Sequence, residues 1–171
     1  DREVIDQAKN LKVISKYGVG LDNIDVDYAN RKGIVVHKAL NANSISVAEM
    51  AILMMLSSCR KYVETENQAR NGQDVRLVGH ELYQKTLGLI GLGAIGQHVA
   101  HIAHSLGMII TAYDPYLDKN KVPSYIELKS LDDIYHHSDI LSLHLPLLDN
   151  TRNLINETVF DKIKPSAILI N

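Results

Sequence analysis

Three glycines and one aspartate carry the most specific chemistry in this sequence. Gly91, Gly93 and Gly96 form a G-x-G-x-x-G pattern directly after the apolar run 87–90, and a helical pattern follows. In such a turn the first glycine allows the tight bend, the second lets the backbone approach a pyrophosphate, and the third lets the helix pack closely on the strand. The free N–H groups at the start of the helix would then hold the pyrophosphate.

Asp114 ends the next apolar run, 108–113, and lies 23 residues after Gly91. An acid about 20 residues along accepts a hydrogen bond from the ribose 2′-OH of NAD, and its charge would repel the 2′-phosphate of NADP. Because strand, helix and acid follow in the expected order, the pattern predicts a dinucleotide site. The alternative is a close-packed turn that binds nothing, which explains the glycines but not Asp114.

Strands alternate with helices after residue 86, which predicts an α/β fold with a doubly wound parallel sheet. Strands are expected near 87–90, 108–113, 125–128, 139–145 and 166–171. Ligands bind such sheets at the carboxyl ends of the strands. That edge would bring together the glycine loop, Asp114, the strand end at His144, Leu145 and Pro146, and Asn171. The polar stretch 64–80 predicts an exposed connection.

A long apolar helix is predicted to begin at residues 41–44, with Ser46 and Glu49 forming a capping box. Its apolar residues cover all sides, which predicts burial. Apolar periodicity does not indicate which surface the helix packs against. The helix could therefore lie in the core of this chain or at an interface with another subunit or domain.

Composition excludes several functional classes. The net charge is −2 over 171 residues, which is not the footprint of a nucleic-acid-binding protein. The longest apolar stretch, 51–56, is too short to span a bilayer. The single cysteine, Cys59, cannot form an intrachain disulfide and fits a reducing compartment, so we expect a cytoplasmic protein.

His98, His101 and His104 recur on one helix, but no carboxylate or cysteine is placed near them to complete a set of metal ligands. We therefore expect a solvated helix face and no metal.

Six segments together resemble the D-2-hydroxyacid dehydrogenase family, in the order in which the family carries them. The resemblance covers essentially the whole chain and is strongest to the D-3-phosphoglycerate dehydrogenase branch. The segments are KYGVGLDNID (16–25), RKGIVVHKALNANSISVAEM (31–50), TLGLIGLGAIG (86–96), YDPY (113–116), SLHLPL (142–147) and TRNLIN (151–156).

The resemblance implies two domains, the end of a flavodoxin-like substrate domain at 1–40 and a Rossmann-type NAD-binding domain at 41–171. Helix 44–59 would help build a homodimer. The implied substrate contacts are Gly18, Val19, Gly20, Asn43 and Ser44. To the glycines and Asp114, the resemblance adds the cofactor contacts Val19, Ala94, Ile95, Pro115, His144, Leu145, Pro146 and Thr151.

The implied activity is hydride transfer between NAD and a D-2-hydroxy acid, with 3-phosphoglycerate as the first candidate. The family's catalytic arginine, glutamate and histidine would follow Asn171. We therefore expect no catalytic residue within 1–171, a piece of a longer polypeptide, and no turnover by this chain alone. Two alternatives stay open: a non-catalytic dinucleotide sensor similar to the corepressors of this fold, and a transferase such as a methyltransferase, which the pyrophosphate-type loop disfavours.

Overall fold

The computed structural model describes residues 1–18 and 20–171, so the expectation for Val19 lies outside the described residues. The chain divides into two compact units, Asp1–Ser44 and Ile45–Asn171. No helix in the described ranges is long and apolar enough to cross a membrane.

The first unit is a small β–α–β arrangement preceded by a helix. Its elements are α1 (Arg2–Gln7), β1 (Val13–Lys16), α2 (Val26–Arg31) and β2 (Val35–Lys38). The two strands pair in parallel, with Val13 opposite Val35. Asp25 caps α2 by accepting a hydrogen bond from the Tyr28 N–H. Ile5, Ala29 and Ile34 form the buried core of this unit.

The second unit contains the five-stranded parallel sheet that the sequence predicts. Its strand order is β5-β4-β3-β6-β7, so the chain reverses direction across the sheet between β3 and β6. The fold class is confirmed. The elements are α3 (Ser44–Arg60), α4 (Tyr62–Arg70), β3 (Thr86–Ile90), α5 (Ala94–Ser105), β4 (Ile109–Tyr113), β5 (Ile126–Leu128), α6 (Leu131–His137), β6 (Ile140–Leu143), α7 (Glu157–Phe160) and β7 (Ile168–Ile170). A short 3-10 helix spans Lys119–Lys121.

The central strand β3 is apolar almost throughout because helices cover both faces of a parallel sheet. Its residues Leu87, Leu89 and Ile90 are fully buried. Gly88 is required by packing, since a Cβ there would collide with the Ser138 hydroxyl and lie 2.8 Å from Ile134 Cγ2. The sheet and its helices thus enclose β3 at the centre of the unit.

The helix predicted to be buried all round has two apolar faces, and only one of them is buried. The buried face of α3 consists of Ala48, Ala51, Ile52, Met55 and Cys59. The other face exposes Ile45, Met50, Leu53 and Leu56. The expected capping box is also wrong, because α3 begins at Ser44 and both Ser46 and Glu49 lie exposed within it.

The stretch 64–80, predicted to be an exposed connection, has no buried residue, but its first part belongs to a helix, α4, that the sequence pattern does not predict. None of the residues of α4 is buried, so the helix has no apolar periodicity from which it could be predicted. Lys61 adopts left-handed backbone angles between α3 and α4, and an Arg70–Glu66 ion pair of 2.6 Å supports the helix surface. A polar surface helix is the class of element that hydrophobic patterning misses.

Candidate dinucleotide site

The glycine loop lies between β3 and α5 at the carboxyl edge of the sheet. Gly91 has φ +95°, a left-handed backbone that favours glycine. A Cβ at Gly91 would also lie 2.5 Å from the His144 carbonyl oxygen. Gly96 is buried in the first turn of α5, and a Cβ there would collide with the Gly91 carbonyl. Both glycines therefore serve the turn and the close packing that the sequence predicts.

Gly93 differs from both, because a Cβ at this position would meet no atom within 4 Å among the described residues. Gly93 is the N-cap of α5, and within the described chain no side chain caps this helix and no acid occupies its first turn. The N-terminal N–H groups of α5, including those of Ala94 and Ile95, therefore face neither a competing cap nor a negative side chain in their own turn. An open, uncapped helix N-terminus fits a pyrophosphate.

Asp114 follows β4 directly and is tied to the glycine loop. Its Oδ2 accepts a hydrogen bond from the Leu92 N–H at 2.9 Å, and its Oδ1 accepts one from the Tyr116 N–H at 3.0 Å. Gly91 N donates to the Tyr113 carbonyl at 2.9 Å. A carboxylate has about four acceptor positions, so these two bonds leave capacity for a ribose hydroxyl. The acid and the glycine loop therefore form one bonded unit.

His144 lies on the other side of β3, just after β6. Its backbone N–H donates to the Ile90 carbonyl at 2.8 Å, and its Nε2 lies 2.9 Å from Ser142 Oγ. Burial lowers the pKa of His144 to about 4. The imidazole is therefore neutral near pH 7. Sequence reasoning missed Ser142, although a serine within an otherwise apolar strand is a visible signal.

A cleft of about 390 Å³ opens beside the end of β6. Thr151 closes one side of it, because its hydroxyl donates to the Pro146 carbonyl at 2.6 Å and accepts from the Leu148 N–H at 2.8 Å. The cleft is lined by Leu143, Leu145, Pro146, Leu147, Thr151, Asn153, Leu154, Ile155 and Asn171. The structure thus brings the predicted residues Leu145, Pro146, Thr151 and Asn171 together at one edge.

The remaining predicted residues have different surroundings. Pro115 follows Asp114 in the loop after β4. Gly18, Gly20, Asn43 and Ser44 belong to the first unit, where Gly18 has φ +132° and Ser44 is buried. His98, His101 and His104 are exposed on α5. Within residues 1–18 and 20–171, no three His, Cys, Asp or Glu side chains are grouped to hold a metal ion.

This geometry is that of a Rossmann-type half-site, and comparison with known proteins agrees. The family model for the NAD-binding domain of D-isomer specific 2-hydroxyacid dehydrogenases matches residues 52–171. The chain belongs to this family.

Two curated relatives and one solved structure illustrate the similarity. The chain is 43% identical to hydroxypyruvate reductase of Thermotoga maritima, over 99% of this chain and 55% of that protein. It is 42% identical to D-3-phosphoglycerate dehydrogenase of Methanocaldococcus jannaschii, over 99% of this chain and 33% of that protein. D-lactate dehydrogenase from Aquifex aeolicus, complexed with NAD and lactic acid, superposes with a TM-score of 0.87 at 33% identity, covering 100% of this chain and 52% of that one. The chain spans about a third to about half the length of these proteins.

Proposed function

We propose that this chain is the NAD-binding part of an oxidoreductase that transfers a hydride between NAD and a D-2-hydroxy acid. The observation that carries the proposal is the bond between Asp114 Oδ2 and the Leu92 N–H beside the open Gly93. It couples the acid for the ribose to the loop for the pyrophosphate. NAD, when bound, supplies the hydride chemistry, and the residues of this chain bind and orient it.

Each half of the site has a distinct part in binding. The uncapped start of α5 holds the pyrophosphate with backbone N–H groups. Asp114 accepts from the ribose hydroxyls and disfavours a 2′-phosphate. Leu145, Pro146 and Thr151 line the cleft beside the end of β6. We propose that Gly18, Val19, Gly20, Asn43 and Ser44 contact substrate or nicotinamide in the whole protein, as the family resemblance implies.

The substrate is proposed from the relatives. 3-Phosphoglycerate is the first candidate because the Methanocaldococcus jannaschii relative is a D-3-phosphoglycerate dehydrogenase, and hydroxypyruvate is second because of the Thermotoga maritima relative. We propose that residues 1–171 bind cofactor without turnover, since the resemblance assigns the catalytic arginine, glutamate and histidine to other residues. A cytoplasmic location fits the free, buried thiol of Cys59.

We also propose that the protein forms a homodimer through the exposed face of α3. Ile45, Met50, Leu53 and Leu56 are each at least 36% exposed, which leaves an apolar face on a helix whose other face is in the core. Such a face is stabilised by a partner surface. Light scattering of the chain and of Leu53→Asp tests this: the substitution should convert a dimer to a monomer, and a monomer at all concentrations contradicts the proposal.

The cofactor proposal is tested by titrating NADH and NADPH and following cofactor fluorescence. The chain should bind NADH in preference to NADPH. Asp114→Ala should weaken NADH binding by about tenfold or more, the effect of losing a hydrogen bond to a charged group. The same substitution should reduce the ratio of the NADPH dissociation constant to the NADH dissociation constant. Asp118→Ala is the matched control, because Asp118 caps the nearby 3-10 helix. No saturable NADH binding, or an unchanged preference in Asp114→Ala, would contradict the proposal.

A further inference from the structure

The side chains of Ser142 and His144 form a pair at the carboxyl end of β6. They lie two residues apart, so they project to the same face of the chain where it runs extended. Ser142 is fully buried, and its Oγ lies 2.9 Å from His144 Nε2. The bond from His144 N to the Ile90 carbonyl fixes the pair next to the glycine loop.

The burial of Ser142 determines which nitrogen of His144 carries the proton. Within the described ranges, Nε2 is the one hydrogen-bonding partner of the Ser142 hydroxyl. If Nε2 carried the proton, the serine proton would be enclosed without an acceptor, which is costly. The serine therefore donates to Nε2, and the neutral ring carries its proton on Nδ1. The lowered pKa of His144, caused by burial, agrees with a neutral ring.

The Nδ1–H group then remains as a free donor at this edge of the sheet. Nδ1 has no protein partner in the part of the chain that the structure describes. Among residues 1–18 and 20–171, the enclosed side-chain atoms without a partner are the Tyr135 hydroxyl and the Gln68 Oε1, and His144 Nδ1 is not one of them. It therefore keeps access to solvent, beside the loop that would hold a pyrophosphate.

The family resemblance already implies a cofactor contact at His144; we propose that the neutral ring makes this contact from Nδ1–H to an acceptor atom of the cofactor, and that Ser142 is the positioning residue that fixes this tautomer. The inference rests on the proposed NAD function and adds a specific atom and protonation state to it. It excludes His144 as a general base through Nε2, because that nitrogen already accepts from Ser142.

Two substitutions of His144 separate the two nitrogens. The amide nitrogen of Asn can occupy the place of Nδ1, and that of Gln can occupy the place of Nε2. His144→Asn should keep NADH binding within about twofold of the parent chain. His144→Gln and Ser142→Ala should weaken it about fivefold or more, the effect of one lost hydrogen bond. ADP-ribose and AMP titrations with the same variants assign the accepting portion of the cofactor. His101→Gln, at an exposed helix position, and Ser138→Ala, which removes another buried hydroxyl, are the matched controls.

Nitrogen-15 NMR of the histidine ring tests the tautomer directly and needs no cofactor. The parent chain should show the Nδ1–H form of His144, and Ser142→Ala should show a mixture of tautomers, which a merely structural role for Ser142 would not produce. An Nε2–H form in the parent chain, or tighter NADH binding by His144→Gln than by His144→Asn, would overturn the inference. If the parent chain binds no NADH, both the proposed function and the binding role of His144 are contradicted. The NMR measurement of the His144 tautomer does not depend on that result.

Discussion

The two edges of the five-stranded sheet treat their polar groups in opposite ways. At the amino edge, Asp139 Oδ2 accepts from the Thr86 N–H at 2.9 Å and its Oδ1 pairs with Lys164 Nζ at 2.9 Å. Ser138 Oγ donates to the Ile134 carbonyl at 2.6 Å. Although burial pushes the pKa of Asp139 upward, the bonds from Thr86 and Lys164 outweigh it and hold this pKa below its usual value. The polar side chains of Ser138 and Asp139 are therefore satisfied by the protein itself.

At the carboxyl edge, by contrast, polar groups are positioned but left open. The start of α5 has no side-chain cap within the described residues, Gly93 faces open space, and Asp114 is oriented by backbone donors without an ion pair in the described part of the chain. Orphan N–H groups at a helix end require partners. The comparison therefore distinguishes polar residues that stabilise the fold from polar residues that are available to a ligand. The first kind precedes the strands at the amino edge, and the second kind follows the strands at the carboxyl edge.

The largest effect is expected for Gly91→Ala, where the carboxyl edge is tightly packed. The substitution forces a left-handed backbone on alanine and puts its Cβ 2.5 Å from the His144 carbonyl oxygen. It should lower the free energy of unfolding by about 3 kcal/mol or more and abolish NADH binding, as measured by denaturant unfolding and titration. Gly72→Ala is the control, since Gly72 has φ +70° but nothing within 4 Å in the described chain. Equal stability of the two variants would show that packing against His144 is unimportant.

Asp139→Ala tests the amino edge. Removing the carboxylate leaves the Thr86 N–H without its acceptor, which should lower the free energy of unfolding by about 1–3 kcal/mol. The NADH dissociation constant should stay within about twofold of the parent value, because no ligand contact is lost. A large loss of NADH affinity at a temperature where the variant is folded would contradict the division between the two edges.

The smallest effect is expected for Tyr135→Phe. The Tyr135 hydroxyl is enclosed without a partner among the described residues, in a cluster with Ile90 and Leu141. Deleting an unsatisfied group should leave the free energy of unfolding unchanged or raise it by up to about 1 kcal/mol. Thermal unfolding measures this directly. A clear loss of stability would mean that the hydroxyl has a partner, such as an ordered water.

Local spacing explains why much of this site could be predicted from the sequence. The bend at Gly91, the packing of Gly96 and the position of Asp114 depend on order and distance along one β–α–β unit. The parallel sheet follows from the alternation of strands and helices. Ser130 and Asn156 cap α6 and α7 by accepting a hydrogen bond from the backbone N–H three residues later. In each case the relevant pattern is one of order and spacing along the chain.

The features that could not be predicted depend on side-chain direction and on solvent. The bond from Leu92 N to Asp114 and the pairing of Ser142 with His144 require the orientation of side chains in three dimensions. The helix α4 lacks an apolar face, and the exposed face of α3 has the same apolar composition as its buried face. Composition alone does not say which of two apolar faces meets the core.

The central claim is that the carboxyl edge is built to be open to a dinucleotide, and Gly93→Ala tests it most directly. The new Cβ would meet no described atom within 4 Å, so the free energy of unfolding should fall by no more than about 1 kcal/mol, the cost of placing alanine instead of glycine at a helix N-cap. NADH binding should weaken about tenfold or more, because the methyl group occupies the approach to the loop. Unfolding and NADH titration of the same samples give both values. Unchanged NADH affinity, or a loss of stability as large as that of Gly91→Ala, would contradict the account.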